Sequence, residues 1–281
     1  MWAISNKNKM KAKSNFFGFV IIAFTIICSC SKDQDSESFG IDNYSIKSII
    51  SNGKTSDKFI YNNLGKIDEA QSFYFYNKYH YNKNGQLVKL ETAADLHMFD
   101  NTYHERNELM TSQNSTFSGY QIFEYNESGK LKTIKNYFKQ NGAWKYTSMI
   151  GLEYNGDDII TWNLYDAANV LTQFQLYEYD NNGNVLKEKY YSYLSNKNNG
   201  PQLISSLYYK YDDKKNPFKV FKEMGQPGFY SNTNNIIESS SILYEDVPGV
   251  DKYSTRETHY EYNGNNFPIK VVDENIEYKY E

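Results

Sequence analysis

Cysteine is nearly missing from this chain, and its position narrows the chemistry. Both cysteines, Cys28 and Cys30, fall within the first thirty residues. The remainder has no disulfide, no thiol nucleophile and no cysteine-based zinc site. Histidine is scarce as well: His80, His97, His104 and His259 are the whole set. His97 and His104 stand seven apart near Asp95, Asp100 and Glu105, which matches no zinc spacing, so no metal is expected. There is no Gly-x-Ser-x-Gly elbow and no glycine-rich phosphate loop ahead of a helix. Hydrolase and nucleotide chemistry therefore have no motif to stand on, and no cofactor is implied. No stretch keeps a 3.6-residue apolar period, which argues against a helical fold.

What the chain has in excess is tyrosine, 28 of 281 residues. Many belong to one recurring phrase, clearest at Tyr177-Glu178-Tyr179-Asp180-Asn181-Asn182-Gly183-Asn184-Val185. Tyr177 and Tyr179 share one face of a strand. Asp180 to Gly183 suits a type I turn closed by a left-handed glycine, the usual hairpin loop with a bulge. Val185 resumes the return strand. Copies begin at Tyr61, Tyr81 and Tyr125, with weaker ones at Tyr103, Tyr154, Tyr211 and Tyr262. About 20 residues hold two strands and two turns, so the shorter spacings fit one hairpin each.

This phrase resembles the YD repeat of the RHS family and the hairpin repeats of Bacteroidetes surface lipoproteins. The resemblance runs from about Ser45 to Glu281 and implies a sheet built of consecutive hairpins.

Residues 1–29 read as a secretory signal rather than as fold. Lys7, Lys9, Lys11 and Lys13 precede the apolar run Phe16 to Ile27, which is too short to span a bilayer of about 30 Å. Ile27-Cys28-Ser29-Cys30 resembles a lipobox, with Cys30 as the acylated residue. Residues 30–43 then form an acidic, serine-rich tether. Such a run after the cysteine resembles an export signal to the outer surface. Lipidation at Cys30 makes the membrane one partner, with the protein outer-membrane-anchored and facing the exterior.

Residues 1–30 hold four lysines and no acid. Removing them from 30 basic and 34 acidic residues leaves a net charge of −8. That charge disfavours nucleic acid as a partner.

Residues 44–281 are expected to be all-β, consecutive antiparallel hairpins forming a long twisted sheet, curled or partly closed, with a closed barrel as the alternative. Phe73 to Tyr76 is apolar on both faces, which predicts cover on both sides. Ala93 to Met98 suggests a helical turn. Trp144, Tyr146, Ile150, Leu152 and Tyr154 share one parity and are expected on one buried face. Asn216-Pro217 is a helix start, predicting a short helix over Phe218 to Met224 that ends at Gly225. Gln226 to Asn235 reads as a long loop and Ser239 to Glu245 as a strand. Asp157-Asp158 and Asp180-x-Asn182 are read as turns rather than as a catalytic pair or a calcium loop.

The aromatic excess leaves one class of site. Trp144, Trp162, Phe229 and Tyr230 are the candidates for stacking on a ligand, Phe229 and Tyr230 because they lie in an inserted loop. The expected role is non-enzymatic binding or scaffolding with an envelope protein as partner. Glycan capture is the first alternative and a glycan-active enzyme the second.

Overall fold

A computed structural model describes residues 44–95, 107–193, 200–229, 231–245 and 250–281. The signal segment, Cys30, the acidic tether, His97, His104 and Tyr230 lie outside them. Among the described residues no helix is long and apolar enough to cross a membrane.

The strands are β1 (Ile46–Ser51), β2 (Lys54–Tyr61), β3 (Ile67–Ser72), β4 (Phe75–Tyr81), β5 (Leu87–Ala94), β6 (Gly119–Tyr125) and β7 (Leu131–Gln140). Then come β8 (Ala143–Asn155), β9 (Asp158–Asp166), β10 (Leu171–Tyr179), β11 (Val185–Ser192) and β12 (Gln202–Lys215). The last five are β13 (Asn234–Leu243), β14 (Tyr253–Glu257), β15 (Tyr260–Tyr262), β16 (Pro268–Val271) and β17 (Ile276–Tyr280). All form one antiparallel sheet. Neighbours in sequence are neighbours in space from β1 to β14 and from β15 to β17, and β17 returns to pair with β1.

The sheet therefore has two edges, β14 and β15, and only Thr258 and His259 separate them in the chain. No ladder joins the edges, so the sheet is curled rather than closed. Isolated bonds seal the seam. Thr258 N donates to Ile237 O at 2.9 Å, Tyr260 Oη to Ile236 O at 3.1 Å, and Lys215 N to Asn266 O at 3.0 Å. Tyr262 Oη donates to Asp212 across the same line.

The repeat is explained by its hydrogen bonds. In the turns that open at Asn62, Asn82, Asp166, Asp180 and Asn263 that side chain accepts from the backbone two and four residues on, as Asp180 Oδ1 does from Asn182 N and Asn184 N, both at 2.8 Å. Gly183 takes φ of 79° to complete the loop. The return strand then bulges, with the register shifting just before each repeat tyrosine, for example between Glu178 and Tyr179. A bulge leaves a residue unpaired in the ladder. The tyrosine of the next repeat reaches back to the carbonyl exposed there. Tyr81 Oη donates to Ile67 O, Tyr125 Oη to Leu87 O, Tyr154 Oη to Leu131 O and Tyr179 Oη to Ile159 O, at 2.7 to 2.8 Å. Tyr61, Tyr211 and Tyr280 do the same to Ile46, Val185 and Pro268.

This ring of bonds lies at the end of the sheet where the repeat turns gather. Inside it sits an apolar belt of Ile46, Ile67, Leu87, Leu131, Ile159 and Val185, all buried. The long insertion between β12 and β13 plugs that end. Its 3-10 helix, Pro217–Met224, is capped by Asn216, whose Oδ1 accepts from Phe218 N, and ends at left-handed Gly225. Phe218 and Phe221 are buried in the core, Phe221 edge-on to Phe59 at 5.3 Å and Phe218 edge-on to Tyr278 at 5.6 Å. Burying two such side chains contributes about 1.5–3 kcal/mol each.

Three expectations are corrected. Ala93 and Ala94 end β5, not a helical turn, because Ala93 pairs with Tyr76 and is fully buried. β13 begins at Asn234, five residues earlier than Ser239, where Asn234 is held by Asn184 and by Lys214 O. The shared parity along β8 is broken by a bulge at Thr147: Ser148 faces Asn136 while Tyr146 faces Tyr137. Ile150 and Leu152 point inward, and Trp144 and Tyr146 point outward. Of the strand expected at Phe73 to Tyr76, Phe73 and Tyr74 form the bend before β4, and double cover is present only at Phe75, packed on the main core, and Tyr76, buried outside it with Ala93, Met110 and Phe117.

Candidate functional site

Curling gives the sheet an inside. Beyond the plug the inner wall surrounds a cavity of about 1190 Å³, lined by strands from β4 to β17. Its lining runs from buried Ile150 and Trp162 out to exposed Gln140 and Glu274, so it reaches solvent at the end opposite the plug. The floor is Met224, Gln226, Pro227, Gly228 and Phe229. Phe229 is seated on Phe218 at 4.9 Å, and its carbonyl accepts from Asn216 Nδ2 at 2.6 Å.

Strand alternation lays polar residues in rings above the apolar belt. Asn77 accepts from Thr92 at 2.8 Å, Gln121 donates to Asn136 at 2.8 Å, and Asn136 donates to Ser148 at 3.0 Å. These amides satisfy one another. The wall of β9 to β12 differs. Trp162, Gln175, Tyr190 and Ser205 stand in one row across four strands, with Gln173 above them and Tyr177 and Glu188 paired one step below. Strand spacing makes this patch about 15 Å wide.

Two buried groups in the patch are unused. Trp162 Nε1 and Gln173 Oε1 have no hydrogen-bond partner among the described residues, though their side chains are only 7% and 8% exposed. Leaving such a group unpaired costs about 1–3 kcal/mol, so each is an incentive to bind. Glu188 is the third unusual group. Burial pushes its carboxyl up to about 7, partly offset by the Tyr209 hydroxyl, which donates to it at 3.3 Å. Its chain neighbours Lys187 and Lys189 face outward and pair with Glu178. Burial and the nearby Glu188 charge raise the Tyr177 and Tyr209 phenols well above their usual range, so both stay protonated donors. Tyr177 spends its proton on Gln175.

The sequence-predicted residues separate. Trp162 and Phe229 line the cavity. Trp144 is on the outer wall, 42% exposed, edge-on to Tyr120 at 5.0 Å, with Tyr120 stacked on Tyr137 at 4.6 Å. Gln173, Gln175 and Glu188 were not singled out by sequence. The signal for the glutamines was present, since they share parity with Tyr177 and Tyr179 along one strand. The remaining histidines pair with acids, His80 with Glu91 and His259 with Asp273, each at 2.8 Å. Asp157 pairs with Lys130 at the turn surface, and Asp180 serves its own turn.

The outer wall carries charge on many of its strands. Lys78 pairs with Asp68 and Glu69, Lys135 with Glu124, Lys210 with Glu238, Lys270 with Glu261, and Lys279 with Glu277.

No protein-family model and no curated protein matches the chain. Solved structures that align with the chain include a porin-like protein of Bacteroides vulgatus, at 10% identity and a TM-score of 0.37, covering 85% of this chain and 99% of that one. A Bacteroides fragilis protein of unknown function matches at 14% identity and a TM-score of 0.33, over 46% of this chain and 87% of that one. The Tc holotoxin pore of Photorhabdus luminescens matches at 11% identity and a TM-score of 0.18, over 73% of this chain and 13% of that one.

Proposed function

We propose that this chain is a non-enzymatic binding protein of the cell envelope, lipid-anchored to the outer membrane at Cys30 and facing the exterior, and that it captures a glycan in its lumen. The observation that carries the reading is the β9 to β12 wall. There Trp162 and Gln173 line a cavity of about 1190 Å³, and the indole N–H and amide oxygen they bury in its wall have no partner among the described residues. Sugar hydroxyls donate and accept at once, so one ring edge can satisfy Trp162 Nε1 and Gln173 Oε1 together. Sugar faces are apolar and pack on Trp162, Tyr190 and Phe229, which supply broad rigid surface at low entropic cost. The charged outer wall supports attachment through the lipid rather than through the strands.

A second reading, scaffolding of an envelope protein, rests on the outer aromatic group Tyr120, Tyr137, Trp144 and Tyr146. The two readings use opposite faces of the sheet. A glycan array on the purified chain, with Trp162→Ala and Trp144→Ala in parallel, separates them. Lumen capture predicts binding that Trp162→Ala abolishes and Trp144→Ala leaves alone. Loss with Trp144→Ala only, or no binding to any glycan, rejects it.

A further inference from the structure

Within the lumen reading, on which this step rests, we infer that the ligand carries a protonated amine and that Glu188 receives it. The argument begins with charge. Among the described residues the cavity lining contains three acids, Asp166, Glu188 and Glu274, and one base, Arg256, with no lysine or histidine. Arg256 is already bound to Glu274 at the rim. Asp166 is committed to its turn, with Oδ1 accepting from Ala168 N and Val170 N at 2.9 Å. Glu188 is left. It sits in the wall, and among the described residues its one hydrogen bond comes from the Tyr209 hydroxyl.

The two strands that flank Glu188 present neutral groups to it. β10 brings Tyr177, directly opposite, and β12 brings Tyr209 and Tyr211. An ionised carboxylate in such a place costs several kcal/mol unless a cation joins it. Among the described residues the protein supplies none. A ligand ammonium does so, and the surrounding Tyr177, Tyr190 and Tyr209 rings add the attraction of aromatic faces for a cation. Gln173 Oε1, the unused acceptor in the same patch, takes an N–H or O–H from the same molecule. Trp162 Nε1, the unused donor, requires an acceptor atom on it, such as a ring or hydroxyl oxygen. Together these define an amine-bearing polyhydroxyl compound, such as a de-N-acylated amino sugar. A polyamine offers the ammonium without the oxygen acceptor.

The test is calorimetric titration of the purified full chain with three probes: a glucosamine oligomer, the N-acetylated oligomer of the same length, and spermidine. Glu188→Gln and Trp162→Ala are run beside the parent, with thermal melts to check that each folds. The inference expects the glucosamine oligomer to bind best. Glu188→Gln should weaken it by about thirtyfold or more, the loss seen when one partner of a buried charge pair is removed. Binding should follow a bell in pH, weak while the carboxyl holds its proton and weak again once the ligand amine has lost its own, because the contact needs both groups charged. Equal binding of the acetylated and free oligomers, or unchanged affinity in Glu188→Gln, overturns the amine assignment. In that case a loss with Trp162→Ala still upholds the lumen. Spermidine binding alone keeps the ammonium and removes the sugar. No binding by any probe rejects the amine assignment, and the glycan array then decides the lumen separately.

Discussion

The repeat tyrosine is both a core residue and a clamp. Its ring lines the inner wall, and its hydroxyl ties one hairpin to the carbonyl of the hairpin before. Tyr125→Phe keeps the ring and orphans Leu87 O. Losing that partner costs about 1–3 kcal/mol. Urea denaturation should show a lower midpoint with an unchanged slope, while Tyr253→Phe, on a side chain 72% exposed, should change neither. A second effect at this scale is pH-dependent. Burial raises Glu188 from 4.5 to about 7 and Asp57 from 3.8 to about 6. In both, the folded state holds its proton more tightly than the unfolded chain. Their stabilisation is therefore complete below about pH 4 and lost as pH rises through 6 and then 7. For Glu188 the loss is on the order of 3 kcal/mol. Stability measured in urea at about pH 5 and about pH 8 should differ in that direction, and Glu188→Gln should shrink the difference to the share of Asp57. A stability that climbs with pH across this window would refute the assignment.

Among the elements, the plug is the least repetitive and the most exacting. Gly225 takes φ of 69°, and a Cβ there would collide with Leu131 and press within 3.2 Å of Leu152. Gly225→Ala thus combines a left-handed backbone with a clash in the apolar belt. We expect a loss of about 2 kcal/mol or more, with the belt loosened and the cavity floor displaced. The checks are thermal unfolding and the Trp162 emission maximum. This helix was legible in sequence because its signals are local: an Asn cap, a proline, a terminal glycine. The turns were legible for the same reason. The parity of β8 was not, because Thr147 is a bulge only in relation to β7, and nothing near Thr147 in the chain says so. Trp144 and Trp162 look alike as sequence. One bulge puts the first outside, and the alternation of β9 puts the second in the lumen. The cavity itself was illegible, since it exists only when β17 meets β1 across more than 200 residues.

At the scale of the molecule, the sign of each wall matters more than the shape. Membrane barrels put apolar residues outside, where a lysine or arginine at mid-bilayer costs about 2–4 kcal/mol. Here lysine–carboxylate pairs mark the outside from β3 to β17, which suits water. If Cys30 carries the anchor, Cys30→Ala should move the protein from the membrane fraction into solution without detergent, its fold unchanged by circular dichroism. Cys30→Ala protein that still pellets with membranes would place the attachment elsewhere.

The seam has a consequence in time. Both edges of the sheet belong to residues 253–262, and β1 lacks its second neighbour until residues 276–280 have been made. A chain emerging N-terminus first therefore carries an unpaired strand edge through nearly its whole synthesis. Exposed edges recruit other strands. Wherever β1 folds before the C-terminal strand has arrived its edge stays open to other strands, and a chain broken off before Ile276 would keep that open edge.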